Sequence, residues 1–244
     1  MATLELPTRR HEAYRYADLA GLAGTWPVAP ETITVPAGES DALSIVAVGD
    51  TATVRELTIV LGAGARFDLR ILNAGSAYGR IAVTFELGEG ADLQMGAAQL
   101  GGAGQTLEIV TEVRHVARDA TSRQVIRSVL ARQAIGTYLG KVSVARGSDG
   151  TDAGQSVRAM LLDRTATANA RPELEIYADD VKCAHGCAVG ELDADGLFYL
   201  QSRGLSPEAA KRLMLQAFIA EAFAGAPDEE RLQALALEKL EALV

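Results

Sequence analysis

The chain has 244 residues, of which 48% are hydrophobic but only 5% aromatic, so a sizeable core must be built from small and β-branched side chains. A net charge of −9 without a long Lys/Arg run excludes a basic nucleic-acid footprint, and no apolar stretch reaches the roughly 18 residues that a membrane-spanning helix requires. Two cysteines, Cys183 and Cys187, are too few for a secreted disulfide scaffold.

Residues 1–30 form a short polar N-terminal segment containing His11, which is expected to be solvated. It has no basic stretch leading into an apolar one, so no secretory leader is expected. The acidic balance reads as that of a cytoplasmic protein, in a reducing compartment.

From residue 31 a repeat takes over. Gly38, Gly64 and Gly90 follow one another at two equal steps, and each has an Ala beside it. Asp119 comes next at a slightly longer step, and Asp is one of the few residue types besides Gly that tolerate a left-handed backbone. Gly147 continues the series at a similar step. Between these turns apolar residues alternate: Leu57, Ile59 and Leu61; Phe67, Leu69 and Ile71; Ile81, Val83, Phe85 and Leu87; Leu107, Ile109 and Val113. Period two means one buried face per strand, and a recurrence of roughly 20–50 residues points to a solenoid. A β-sandwich explains the alternation but not the step length. The fold expected over residues 31–190 is therefore an all-β core, a right-handed parallel β-helix. Exposed coil edges are able to pair with another chain. After a loop at residues 149–154 the strands resume, and Pro172 is read as opening the strand that holds Leu174 and Ile176.

Residues 191–244 read as a C-terminal helical region. A short helix starts at Asp193 to Gly196, carries Leu197, Phe198, Tyr199 and Leu200, and ends at Gly204. Ser206 and Pro207 make an N-cap followed by Pro at the first helical position. That helix is expected to run to about Phe223, with Gly225 as its stop. It is apolar on almost every side, which predicts burial on more than one face. Pro227 starts a last helix, with Asp228, Glu229 and Glu230 at its positive end. The apolar face of Leu232, Leu235, Ala236, Leu240 and Leu243 suits either a lid over the preceding helix or a docking surface.

Chemistry concentrates around Cys183. Val181, Cys183 and His185 fall on one face of an extended segment, and an i, i+2 pair lies about 7 Å apart. Thiolate and imidazole suit zinc, iron or a cluster iron. Asp179, Asp180 and Cys187 are near in sequence, but no standard ligand spacing is completed. Two roles stay open: a buried Cys with a hydrogen-bonded His, or a half-filled ligand set completed by a partner chain. The Cys183/Cys187 pair, read as lying within a turn, is also open to oxidation. Elsewhere the signals are weaker. His115 reads as a surface or strand-edge residue. Gly62/Gly64 and Gly101/Gly102/Gly104 lack the Lys-Ser/Thr of a phosphate loop and read as turns. Adjacent Asp179 and Asp180 point to opposite strand faces and make a poor acid–base pair.

The run Ile176, Tyr177, Ala178, Asp179, Asp180, Val181, Lys182 and Cys183, followed by His185-Gly186, Val189-Gly190, Leu192-Asp193, Phe198-Tyr199-Leu200 and Ser202-Arg203-Gly204, resembles the C-terminal region of the SufB/SufD family of iron–sulfur cluster assembly scaffolds, on its SufD side. The resemblance is dense only in the last third of the chain. It implies a non-catalytic scaffold that pairs with SufB edge to edge and binds the SufC ATPase through its C-terminal helices. A transient iron or iron–sulfur cluster is then held at the partner interface, with no nucleotide bound by this chain. His185 occupies the family's functional position, Cys183 is its neighbour, and Cys187 is a further candidate ligand. Ala184 and Cys187 depart from the family's usual Ser and Ala. The family's N-terminal helical domain corresponds here only to the short segment 1–30. A homodimer, a β-helix carbohydrate enzyme and a self-assembling structural coil are the competing expectations.

Overall fold

The computed structural model describes residues 5–75 and 77–243; residues 1–4 of the N-terminal segment, residue 76 and residue 244 of the C-terminal region lie outside the described residues. Among the described residues twelve strands alternate between two six-stranded parallel sheets. Sheet A contains β1 (Glu31–Val35), β3 (Thr53–Leu61), β5 (Tyr78–Leu87), β7 (Thr106–His115), β9 (Ile135–Val144) and β11 (Thr167–Ile176), in that order. Sheet B contains β2 (Ser40–Ala47), β4 (Arg66–Asn73), β6 (Asp92–Gly101), β8 (Thr121–Leu130), β10 (Asp152–Leu161) and β12 (Lys182–Gly190). The chain thus winds a right-handed parallel β-helix of about five turns.

Register explains why the alternation works. In a parallel ladder, partners point to the same side, so each inward position becomes a column running along the coil. Ile33, Ile59, Phe85, Val113, Val142 and Leu174 stack in one such column of sheet A. Ile45, Ile71, Ala97, Ile126, Val157 and Cys187 stack in sheet B. The two inner faces meet in one core. Few aromatics are needed because a flattened coil is filled by small and branched side chains.

One corner column is left-handed along the coil. Gly38, Gly64 and Gly90 have φ of 73°, 65° and 64°, and Asp119 continues the series at 58°. Their amides each donate to the coil above, Asp119 N to Asp149 O and Gly150 N to Asp180 O. The next member of the series is therefore Gly150 (φ 78°), not Gly147, which makes its own local turn. The Asp119 carboxylate occupies the space a Cβ at 150 would need. The coil lengthens accordingly: Glu31 pairs with Leu57 in the first turn, whereas the step from Asp152 to its partner Lys182 is longer. Pro172 does not open a strand but sits inside β11. It is tolerated because β11 is an edge strand with a neighbour on one side only.

The outer faces of both sheets are covered. A 3-10 turn at Glu12–Tyr14 and a short helix α1 (Leu19–Ala23), capped by the Asp18 carboxylate, lie over sheet A. They are held by Arg80, whose guanidinium donates to Ala13 O and lies 4.3 Å from the Tyr14 ring centroid. Three helices follow β12: α2 (Ala194–Ser202), α3 (Pro207–Ala220) and α4 (Glu229–Glu241). Ser206 caps α3 through its hydroxyl, and α3 stops at Ala220, where Ala222 and Phe223 turn back on Ile219 and Ala220 through tighter i−3 bonds before Gly225. Leu215, Ile219, Phe223, Leu232, Ala236 and Leu240 pack on Leu72, Ala98, Leu100 and Val129 of sheet B. The apolar face of α4 is thus spent inside the molecule, as a lid. Among the described residues no helix is long and apolar enough to cross a membrane.

Candidate site at the open end of the coil

The coil ends in two strands with one neighbour each among the described residues: β11 pairs with β9, and β12 with β10. Their backbone groups on the free side form unpaired edges. Ile176, Tyr177 and Val189 are exposed there.

Cys183, His185 and Cys187 all lie on β12, a regular strand and not a turn. They stand over Ala153, Gln155 and Val157, all three buried. Parallel register therefore aims all three inward, at the mouth of the coil's interior. Each is the last member of a column. Cys183 ends the series Phe67, Leu93, Ser122, Ala153, and Cys187 ends the apolar series from Ile45 to Val157. His185 ends the series Leu43, Leu69, Met95, Gln124, Gln155, which turns polar in its last coils.

The spacing decides what these residues do alone. Neighbours in the series are about 7 Å apart and Cys183 and Cys187 about 13 Å, at the rise of a strand. Two cysteines so separated cannot form an intrachain disulfide, which needs Cα atoms within about 7 Å. Among the described residues no group of three or more His, Cys, Asp or Glu is placed to hold a metal. Asp179 and Asp180 lie in the loop before β12, outside the ladder that aligns the other three. Cys183 and His185 are chemically suited to iron, but they are two donors where a four-coordinate site needs four. Burial pushes both the Cys183 and the Cys187 thiols up, with the Asp152 charge adding to the rise at Cys183. Both stay protonated near neutral pH until a metal or a partner's positive charge favours the thiolate. Cys183 is half-buried against the core, whereas His185 is exposed and makes no hydrogen bond among the described residues.

His115 is not a surface residue. It is fully buried, its Nε2 lies 3.0 Å from Ser122 Oγ, and burial pushes its pKa down to about 4. The strand places it on the inner face because its partners Leu87 and Val144 are core residues. A cleft of about 360 Å³ lies elsewhere, between the N-terminal segment and the outer face of sheet A. Its carboxylates are already engaged: Glu12 and Glu173 with Arg171, Glu112 with Arg114, Glu56 with the Tyr14 hydroxyl. Arg114 holds the Glu112 carboxyl below its usual range, which does not suit a general acid.

The polar groups beneath His185 escape the sequence pattern. Thr111, Gln124, Tyr138 and Gln155 form a buried hydrogen-bonded cluster in the interior of the coil. The available signal is Gln124 and Gln155 in the inward phase of their strands, where an apolar residue is the rule.

Residues 42–218 match the family model "SUF system FeS cluster assembly, SufBD core domain". The chain belongs to the SufB/SufD family. It is 39% identical over 129 residues to "Protein ABCI7, chloroplastic" of Arabidopsis thaliana, covering 52% of this chain and 27% of that protein. It is 31% identical over 142 residues to "Iron-sulfur cluster assembly protein SufD" of Escherichia coli K12, covering 58% and 34%. Similarity extends to "Iron-sulfur cluster assembly protein SufB" of Bacillus subtilis, 30% over 132 residues, covering 54% and 28%. The chain thus spans about a third or less of the length of these SufBD relatives. The SufBD match runs from within β2 into α3, so strands β3 to β12, the open end and the helix α2 fall within it, and β1 and α4 lie outside it.

Proposed function

We propose that this chain is a SufD-type, non-catalytic scaffold subunit of the SUF iron–sulfur cluster assembly complex. The carrying observation is that the coil ends on β12, a strand with one free edge, whose inward columns terminate in Cys183, His185 and Cys187. A partner of SufB type pairs with the free edges of β11 and β12 and brings the remaining ligands. Iron and the nascent cluster are cargo at that junction, with His185 as the principal donor from this side, Cys183 beside it and Cys187 peripheral.

A SufC-type ATPase docks on the C-terminal helices. Support comes from Phe198 and Tyr199 on α2 and Leu213 on α3, which are 73%, 56% and 46% exposed while the core-facing apolar side chains of α3 and α4 pack inward. Removing residues 206–244 would also uncover Leu72, Ala98, Leu100 and Val129, so the surface is better tested by Phe198→Asp with Leu213→Asp, which should lose ATPase binding and keep the fold.

The ligand role is tested with His185→Ala in cells that depend on this subunit. The expected result is an intact complex with cluster-dependent enzymes inactive; normal activity of those enzymes would contradict the assignment.

A further inference from the structure

Gln155 lies directly beneath His185 in the sheet B ladder and is 4% exposed. Its Nε2 donates to Tyr138 Oη at 3.3 Å. In this arrangement Tyr138 Oη donates to Gln124 Oε1 at 3.2 Å and accepts from Gln155, and Thr111 Oγ1 lies 3.0 Å from the same Tyr138 oxygen. Burial keeps the Tyr138 phenol protonated by raising its pKa far above the usual range. The result is a buried carboxamide oxygen, Gln155 Oε1, without a hydrogen-bond partner. A buried acceptor left in that state is costly.

Two residues able to donate are the register neighbours of Gln155 along the column. Gln124 Nε2, also buried and unpartnered, is one coil below. His185 is one coil above, at the strand spacing of about 4.8 Å. A carboxamide oxygen has two acceptor positions and can serve both.

We propose that Gln155 is the positioning residue for His185: its Oε1, unpartnered in the structure, takes a hydrogen bond from one imidazole N–H when the exposed His185 ring turns over it, which leaves the other ring nitrogen unprotonated and directed out of the open end. A ring nitrogen that donates iron its lone pair needs the other nitrogen to carry the proton, and a hydrogen-bond acceptor behind the ring fixes that tautomer. Thr111, Gln124 and Tyr138 then form the rigid base from which Gln155 acts. Partner docking would exclude water from the same bond and strengthen it. This inference rests on the reading of His185 as an iron-facing ligand, but its test needs neither iron nor a partner, so either can fail without the other.

The test is nitrogen-15 NMR of the three histidines in the full-length chain, at a pH where the rings are neutral, with the His185 signals assigned by their loss in His185→Gln. The expected result is a His185 tautomer ratio displaced about 5- to 10-fold from that of free histidine, the scale of one hydrogen bond. In Gln155→Met the ratio should return to the free value. Tyr138→Phe, which removes only the oxygen that anchors Gln155 Nε2, should give an intermediate ratio and serves if Gln155→Met does not fold. A His185 ratio equal to that of free histidine in the unmodified chain, or one unchanged in a folded Gln155→Met or Tyr138→Phe chain, would overturn the proposal.

Discussion

Arg80 on β5 and Glu108 on β7 are register partners on the outer face of sheet A, joined by an ion pair in which neither side chain is more than 2% exposed. Glu108 also accepts from the Asp18 amide at the start of α1, and Arg80 donates to Ala13 O. One buried pair therefore ties residues 13–18 to the coil. Glu108→Ala would leave the Arg80 charge uncompensated under the segment. The expected cost is about 3–5 kcal/mol, measured by urea unfolding, together with faster proteolysis within residues 5–30. Stability within about 0.5 kcal/mol of the parent, the range of an ordinary surface change, would refute the anchoring role.

The helical region is seated through a different close approach. Gly96 on β6 faces outward, and a Cβ built there would overlap Ala222 O, the same carbonyl that accepts from Arg70 Nη1 at 3.0 Å. Gly96→Ala must push the chain after α3 off sheet B. A loss of about 1–3 kcal/mol is expected, with increased hydrogen exchange in α3 and α4. An unchanged melting temperature would show that the helices do not depend on this contact.

His115 gives the fold an acid-sensitive element. Its pKa is about 4 when folded, against the ordinary value of 6.5. Between these values the unfolded chain binds the proton and the folded chain does not, so stability falls as pH falls. The contribution is complete above about pH 6.5 and is lost as pH drops to about 4, by up to about 3 kcal/mol. Urea midpoints of the parent and His115→Gln, compared at pH 7 and pH 5, should show a smaller pH effect in the variant. Equal pH effects in the two chains would mean that His115 does not titrate on unfolding.

The two thiols should behave as separate, sluggish groups. Burial raises both pKa values, so alkylation at pH 7.5 should be slower than that of a free cysteine. Mild oxidation should give no intrachain disulfide, because the strand holds Cys183 and Cys187 about 13 Å apart. Mass spectrometry after oxidation checks this. An intrachain bridge would mean that β12 leaves the ladder in solution.

The coil is legible in the sequence because its determinants are local. Period-two alternation marks the inward positions, and a left-handed corner residue, Gly or Asp119, recurs once per turn. The same locality misleads at Gly147, which is left-handed for a turn of its own, while only the ladder bond from Asp119 to the following coil identifies Gly150 as the corner. His115 is misjudged for a related reason. A strand-terminal polar residue looks exposed until register sets it between Leu87 and Val144. At the open end, spacing alone puts Cys183 and His185 on one face. It cannot supply Gln155, because the pairing offset that sets Gln155 under His185 exists only once the coil is wound. The free edge at β12 is invisible for the same reason, since only the wound coil leaves that strand with a neighbour on one side.

The central claim is that this chain completes its site by joining other subunits at the free edges of β11 and β12. Its most direct test is native mass spectrometry after co-expression with SufB- and SufC-type proteins from the same source. The account predicts one stable complex containing all three chains, which comes apart when a Pro or a charged residue replaces Ala184 or Val189 on β12. A chain that runs alone or only with itself in the presence of both partners would contradict it.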